Sequence, residues 1–214
     1  MVDEGRIIQV RHVNIDLSAK DLDRAEWSHA QPVRIDRYWS GAVAPTDRQA
    51  EARMLWSSKA FHIRFICSQR EPMVVSRTPQ FSHKTMNLWD RDVCEIFIAP
   101  DPNVLERYFE FEAAPTGEWL DVAIHITPEK RESDWEFHSG MTTAARVEAD
   151  RIIIAMRIPW NHWIHEPQKG ERWRANLFRC IGSGAARGYL AWHPTRTPQA
   201  NFHVPQAFGW LFFT

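Results

Sequence analysis

The chain has 214 residues and a formal net charge of -1, with 26 Lys and Arg against 27 Asp and Glu and no basic block. That balance argues against nucleic acid or an anionic membrane as the main partner, and no apolar stretch approaches transmembrane length. Cys67, Cys94 and Cys180 are odd in number and far apart, so buried thiols are expected rather than a disulfide framework or a zinc site.

Residues 1–32 have no clear period. Met1-Val2-Asp3-Glu4-Gly5 lacks the basic and apolar regions of a signal peptide, so the expected location is cytoplasmic, or secreted if the N-terminus was trimmed. Ser18 to Asp23 reads as one helical turn and Val33 to Trp39 as a first strand. Ala52 to Trp56 and Phe61 to Cys67 flank a turn and read as a hairpin. Residues 69–87, with Pro72 and Pro79, form a loop. It leads into Val93 to Ala99, a β-branched and aromatic run closed by Pro100-Asp101-Pro102. Alternation sends Cys94, Ile96 and Ile98 one way and Val93, Glu95, Phe97 and Ala99 the other, so this strand is expected to be central and buried on both faces. Glu95 is then costly unless it is paired, hydrogen-bonded or opens onto a cleft. Trp89, among Asp90, Arg91 and Asp92, is placed at the rim.

Tyr108 to Ala113 and Trp119 to Ile126 flank a Pro- and Gly-containing turn. Phe109 and Phe111 alternate with Glu110 and Glu112, so these strands read as half-buried. Met141 to Glu148 and Arg151 to Ile158 form another hairpin, followed by a short helix at Asn161 to Ile164. Arg172 to Ile181, Tyr189 to Trp192 and Phe208 to Phe213 complete the strands. Gly182-Ser183-Gly184 resembles the start of a dinucleotide loop, but a strand follows it, so it reads as a hairpin turn. His162 and His165 lack the Glu of a zinc protease and read as surface residues. Many short strands separated by turns, with no sustained helical period, predict an all-β antiparallel β-sandwich of two packed sheets. With no long linker, 1–214 is expected to be one domain with an irregular segment over 1–32. Eleven tryptophans exceed what core filling needs, so some are expected to face solvent or ligand.

Trp89-Asp90-Arg91-Asp92-Val93-Cys94-Glu95-Ile96-Phe97-Ile98 resembles the W-x-x-D-x-V-E-I-F-I signature of family 9 carbohydrate-binding modules, with Cys94 where the signature has Val. Trp192-His193-Pro194-Thr195 and Asn201 to Gly209 resemble that family's closing W-x-P-T and P-x-x-F-G segments. Trp173 to Arg179 has a counterpart in stand-alone family 9-like proteins, a group related to DOMON sandwiches. The resemblance runs from about Val33 to the C-terminus. It implies a β-sandwich associated with carbohydrate catabolism that binds sugar without cleaving it. In such a site two aromatic rings clamp the sugar and polar side chains bind its hydroxyls. By position Trp89 matches one ring, Phe202 the other and Glu95 a hydroxyl-binding acid. The family's arginine in the next strand is replaced by Glu110 or Glu112 and its glutamine by Phe178, changes that bear on its preference for sugar reducing ends.

The residue chemistry fits independently. Sugar C–H patches lie against aromatic faces, and a carboxylate accepts strong hydroxyl hydrogen bonds. Expected ligand-binding residues are therefore Trp89, Glu95 and Phe202, then Arg179 and Asn176. Arg179 could instead pair with Glu95, and Asn176 could satisfy backbone. Asp90 and Asp92 are candidates for a calcium ion, against the commoner role of solvated charges. Two other functions compete. A glycoside-processing enzyme would use Glu95 with Glu110 or Glu112. A haem-binding redox sandwich would use Met73 or Met86 with a histidine. A sandwich that has lost its ligand would dock to a partner enzyme or other protein.

Overall fold

The computed structural model describes residues 7–214, so the reading of Met1–Gly5 lies outside the described residues. Runs of β-branched and aromatic residues between Pro, Gly and Asn breaks become strands. In chain order these are β1 (Ile7–His12), β2 (Val33–Ile35), β3 (Arg37–Tyr38), β4 (Ala50–Trp56), β5 (Ala60–Ser68), β6 (Val93–Ala99) and β7 (Arg107–Ala113). They continue with β8 (Trp119–Ile126), β9 (Arg131–Asp134), β10 (Thr142–Val147), β11 (Arg151–Pro159), β12 (Arg172–Ile181), β13 (Gly188–Ala191) and β14 (Gly209–Phe213). Short 3-10 turns are the only helical elements among the described residues, so the chain is all-β. No helix among them is long and apolar enough to cross a membrane.

The strands fall into two hydrogen-bonded runs. One is β10-β11-β5-β4, with β2 also on β4; the other is β14-β12-β6-β7-β8-β9, with β13 on β12 and β3 on β13. β1 belongs to both. Ile7 to Val10 pair with Trp210 to Phe213 of β14, whereas Arg11 and His12 pair with Leu55 and Trp56 of β4. Both pairings are parallel, which corrects the purely antiparallel expectation. Parallel neighbours need long connections, and β1 is distant in sequence from β4 and β14 alike.

The main apolar cluster takes Met54, Ile63 and Phe65 from the first run and Ile96, Ile98, Phe111 and Leu177 from the second. A second cluster covers the opposite face of β6, β7 and β12, where Val93, Phe97, Tyr108 and Phe178 meet Leu88, Phe202 and Phe208 from loops. All seven residues of β6 are therefore buried, between β12 and β7, as the alternation predicts.

Four local readings differ. β1 lies in the segment expected to be irregular, because only Ile8 and Val10 are buried and the rest of its sequence hides the period. Ser18 to Asp23 is a turn closed by the Asp21 carboxylate accepting from the Ser18 N–H at 2.8 Å. Asn161 to Ile164 is a bend, not a helix, because the Asn161 side-chain oxygen accepts from the N–H groups of Trp163 and Ile164. β9, Arg-Glu-Ser-Asp, has no apolar alternation to reveal it; it is an edge strand whose charges suit an exposed position.

Candidate functional site

The register of β6 against β7 sets Glu95 opposite Glu112 and Phe97 opposite Glu110, which places three acids on one face. Their carboxylate oxygens lie within 4.8 Å of one another. All three acids are buried, at 1 % (Glu95), 5 % (Glu110) and 0 % exposure (Glu112). The Phe/Glu alternation of β7 is therefore not a core face backed by a solvent face. Phe202 and Phe208 pack over the acid side, so the strand is buried on both.

A cleft of about 260 Å³ opens beside these acids, and Glu95 and Glu110 both line it. Its apolar walls include Trp89, Trp135, Tyr189 and Phe202, with Arg131 and His203 among the polar lining. Trp89 sits in a 3-10 turn (Leu88–Asp90) entered through Asn87 at φ 58°, a left-handed conformation that Asn tolerates. Leu88 is buried in the second cluster, and Arg187 donates to the carbonyls of Trp89 and Arg91, which fixes the turn. Trp89 and Trp135 are tilted toward each other with centroids 6.1 Å apart. Phe202, also in the lining, stacks on Phe178 at 4.0 Å and meets the Tyr189 ring edge-on at 6.0 Å. The aromatic that replaces the family's glutamine thus braces the one lining the cleft.

Burial, helped by the neighbouring Glu110 charge, pushes the Glu95 carboxyl up to about 8. Burial raises Glu110 to about 7, and burial with the Glu95 and Glu110 charges raises Glu112 well above the carboxylate range. Two full charges 4.8 Å apart would repel by about 3.5 kcal/mol at an effective dielectric constant near 20. The Cys180 thiol donates to Glu95 Oε1 at 3.3 Å. No donor among the described residues reaches either oxygen of Glu112. His203 Nδ1 lies 2.8 Å from the Tyr108 hydroxyl and its Nε2 is 4.0 Å from Glu110 Oε2. Burial and then Arg131's charge hold the imidazole down to about 3.

Trp89 and Glu95, from one stretch, and Phe202, distant from both in the chain, line this one cleft; Arg179 and Asn176 do not. Arg179 lies opposite Cys94, on the face away from Glu95, and donates to the carbonyls of Arg48 and Gln49 and to Gln69 Oε1 at 2.6 to 2.9 Å. It therefore neither pairs with nor orients Glu95. Asn176, fully buried, donates to the His193 carbonyl and accepts from the N–H groups of His193 and Leu177. Its role is the backbone one. The two acids of the calcium expectation, Asp90 and Asp92, part company. Asp90 is exposed, while buried Asp92 accepts from the N–H groups of Gly182 and Val74 and from the Gln69 amide. His162 and His165 are exposed, and His165 Nε2 lies 2.6 Å from Glu171. The three cysteines are free and buried, with the sulfurs of Cys67 and Cys94 3.2 Å apart.

Sequence reasoning passed over Trp135, Arg131 and Tyr189. For Trp135 a signal was present: it lies between Asp134 and Glu136, the same charged setting that drew attention to Trp89. Tyr189 and Arg131 carried none, since nothing local tells which strand end faces a cleft.

The model of the family described as "Carbohydrate family 9 binding domain-like" matches residues 21–214. Among solved structures, a Bacteroides uniformis protein provisionally described as carbohydrate-binding superposes with a TM-score of 0.74 at 16% identity, covering 98% of this chain and 99% of its own. A family 9 carbohydrate-binding module from Caldicellulosiruptor kristjanssonii, in complex with glucose, gives 0.69 at 13% identity, covering 97% of this chain and 95% of its own. The module from the same organism in complex with cellotriose gives 0.68 at 13% identity, covering 97% and 93%. No protein of curated function matches the sequence. These superpositions carry the fold, and the family model spans most of the chain: it belongs to the carbohydrate family 9 binding domain-like family.

Proposed function

We propose that this protein binds a small saccharide, without cleaving it, in the cleft between Trp89 and Phe202. The observation that carries this reading is the convergence on one cleft of Trp89 and Glu95, from one stretch of the chain, with Phe202 from a distant one. A sugar ring would lie with its C–H faces toward the aromatic walls, and its hydroxyls would meet Glu95 and Glu110. The volume of about 260 Å³ lies just below the range of about 300–1,000 Å³ for small-molecule sites, which suits a single ring better than a buried oligosaccharide. The relatives in complex with glucose and cellotriose lend support to this ligand class.

Calorimetric titration with glucose and cellotriose, with Trp89→Ala as control, tests it. Saturable binding that weakens at least tenfold in the variant is expected. A glycan array with no binder would sink the proposal.

One observation favours a second reading. The Glu95 and Glu110 oxygens lie within 4.8 Å, near the separation of about 5–5.5 Å between the carboxyls of retaining glycosidases. Turnover of mixed oligosaccharides that disappears in Glu95→Gln would decide for an enzyme. The haem alternative has less support, because no methionine lines the cleft and Met73 and Met86 are exposed elsewhere. A Soret band in the purified protein would restore it.

A further inference from the structure

We propose that Glu95, Glu110 and Glu112 hold a divalent cation of the oxygen-preferring kind, Ca²⁺ or Mn²⁺, at the sheet end of the cleft. Three features of the structure support it. The carboxylate oxygens lie within 4.8 Å of one another, and 4.8 Å is about twice the Ca²⁺–oxygen distance of about 2.4 Å, the widest separation two ligands of one ion can have. Three atoms that close share a point no more than about 2.8 Å from each, so small side-chain shifts, with no strand movement, bring all three to the Ca²⁺–oxygen distance. Glu112 is fully buried, yet neither of its oxygens has a donor among the described residues, and one of them is among the oxygens that converge. A buried carboxylate left in that state is costly, and a cation satisfies it outright.

No Lys or Arg among the described residues forms an ion pair with any of the three. The nearest basic group is His203, whose Nε2 stands 4.0 Å from Glu110. All-oxygen donors select Ca²⁺ or Mn²⁺ over soft metals, and the smaller Mg²⁺, at about 2.0–2.1 Å, would draw the acids closer than they stand. Glu95 and Glu110 line the cleft, so the ion has an entry path and positions open to solvent. If the saccharide reading holds, sugar hydroxyls would complete that coordination; the ion site itself does not depend on it.

The test titrates chelator-treated protein with Ca²⁺ and Mn²⁺ by calorimetry, with no sugar present. One saturable site is expected. Glu112→Gln, which keeps the shape and does not touch the cleft, should weaken it at least tenfold, while surface Asp101→Asn leaves it unchanged. No saturable binding by about 1 mM, the weak end of natural calcium sites, overturns the proposal. So does equal affinity in wild type and Glu112→Gln. If circular dichroism shows Glu112→Gln to be misfolded, Glu95→Gln and Glu110→Gln decide by the same criterion. A glucose titration with and without chelator keeps the two readings apart. Sugar binding without cation binding sinks this proposal alone, and cation binding without sugar binding sinks the saccharide reading alone.

Discussion

The two faces of β6 and β7 are built from alternate residues of the same two strands, yet they answer to different demands. On one face Cys94, Ile96, Ile98 and Phe111 enter an apolar cluster shared with Met54, Ile63 and Phe65. On the other, Glu95, Glu110 and Glu112 stand among Phe97, Tyr108 and Phe178, equally hidden from water but unpaired by any Lys or Arg among the described residues. Hydrophobic contact stabilises the first face. The second holds groups that burial disfavours. Burial alone therefore does not separate core from site; the chemistry of what is buried does.

Truncation on the apolar face should have the largest effect. Phe111→Ala is expected to lower unfolding free energy by about 3–5 kcal/mol in chemical denaturation, and a loss under about 1 kcal/mol would erase the contrast between the faces. The next effect comes from β5, whose polar side carries His62. It is buried beside Ser57 Oγ at 3.1 Å, with Asp16 at 3.7 Å and Asp16 itself held by Arg157. Burial holds this imidazole down to about 4, although Asp16 pulls it upward. The folded protein therefore keeps the ring neutral where the unfolded chain, titrating near 6.5, takes a proton. Stability should be unaffected above about pH 6.5 and fall by about 3 kcal/mol as pH drops toward 4. The difference between wild type and His62→Gln in thermal melts across that window isolates the group; parallel curves would refute it.

Arg179→Ala tests the assignment of that residue to the apolar side of the sheet. It removes three hydrogen bonds, to the carbonyls of Arg48 and Gln49 and to the Gln69 side chain, and should cost about 1–3 kcal/mol, with saccharide affinity unchanged in the molecules that remain folded. Loss of affinity without loss of stability would move Arg179 to the site. The smallest stability effect belongs to Trp135→Ala, on the rim and 37% exposed. Stability should change by less than about 0.5 kcal/mol, while saccharide affinity falls at least threefold in calorimetry.

Much of this contrast was legible before any coordinates. Val93 to Ala99, Trp119 to Ile126 and Arg172 to Ile181 coincide with β6, β8 and β12, because each run is apolar or strictly alternating and ends at a breaker. Glu95 stood out as an acid in a buried strand, and the clash of local chemistry with its setting is what marks a site. Glu110 and Glu112 were harder to read. Their alternation with phenylalanine is the ordinary mark of a half-wet strand, and only the loop through Phe202 and Phe208, contributed from the end of the chain, dries it out. Arg179 and Asn176 were hard to read for the converse reason: polar residues in a strand suggest a ligand, and their partners, far off in sequence, appear only in the fold.

β1 lies between strands drawn from opposite ends of the chain, and its hydrogen bonds to β14 reach across nearly the whole sequence. Such a pairing cannot form until β14 has left the ribosome. Its loop-closure entropy is also the largest that any strand pairing among the described residues has to overcome. The seam along β1 is thus expected to close last in folding. Under mild denaturation its amides should be the first of the inner strands to exchange with solvent.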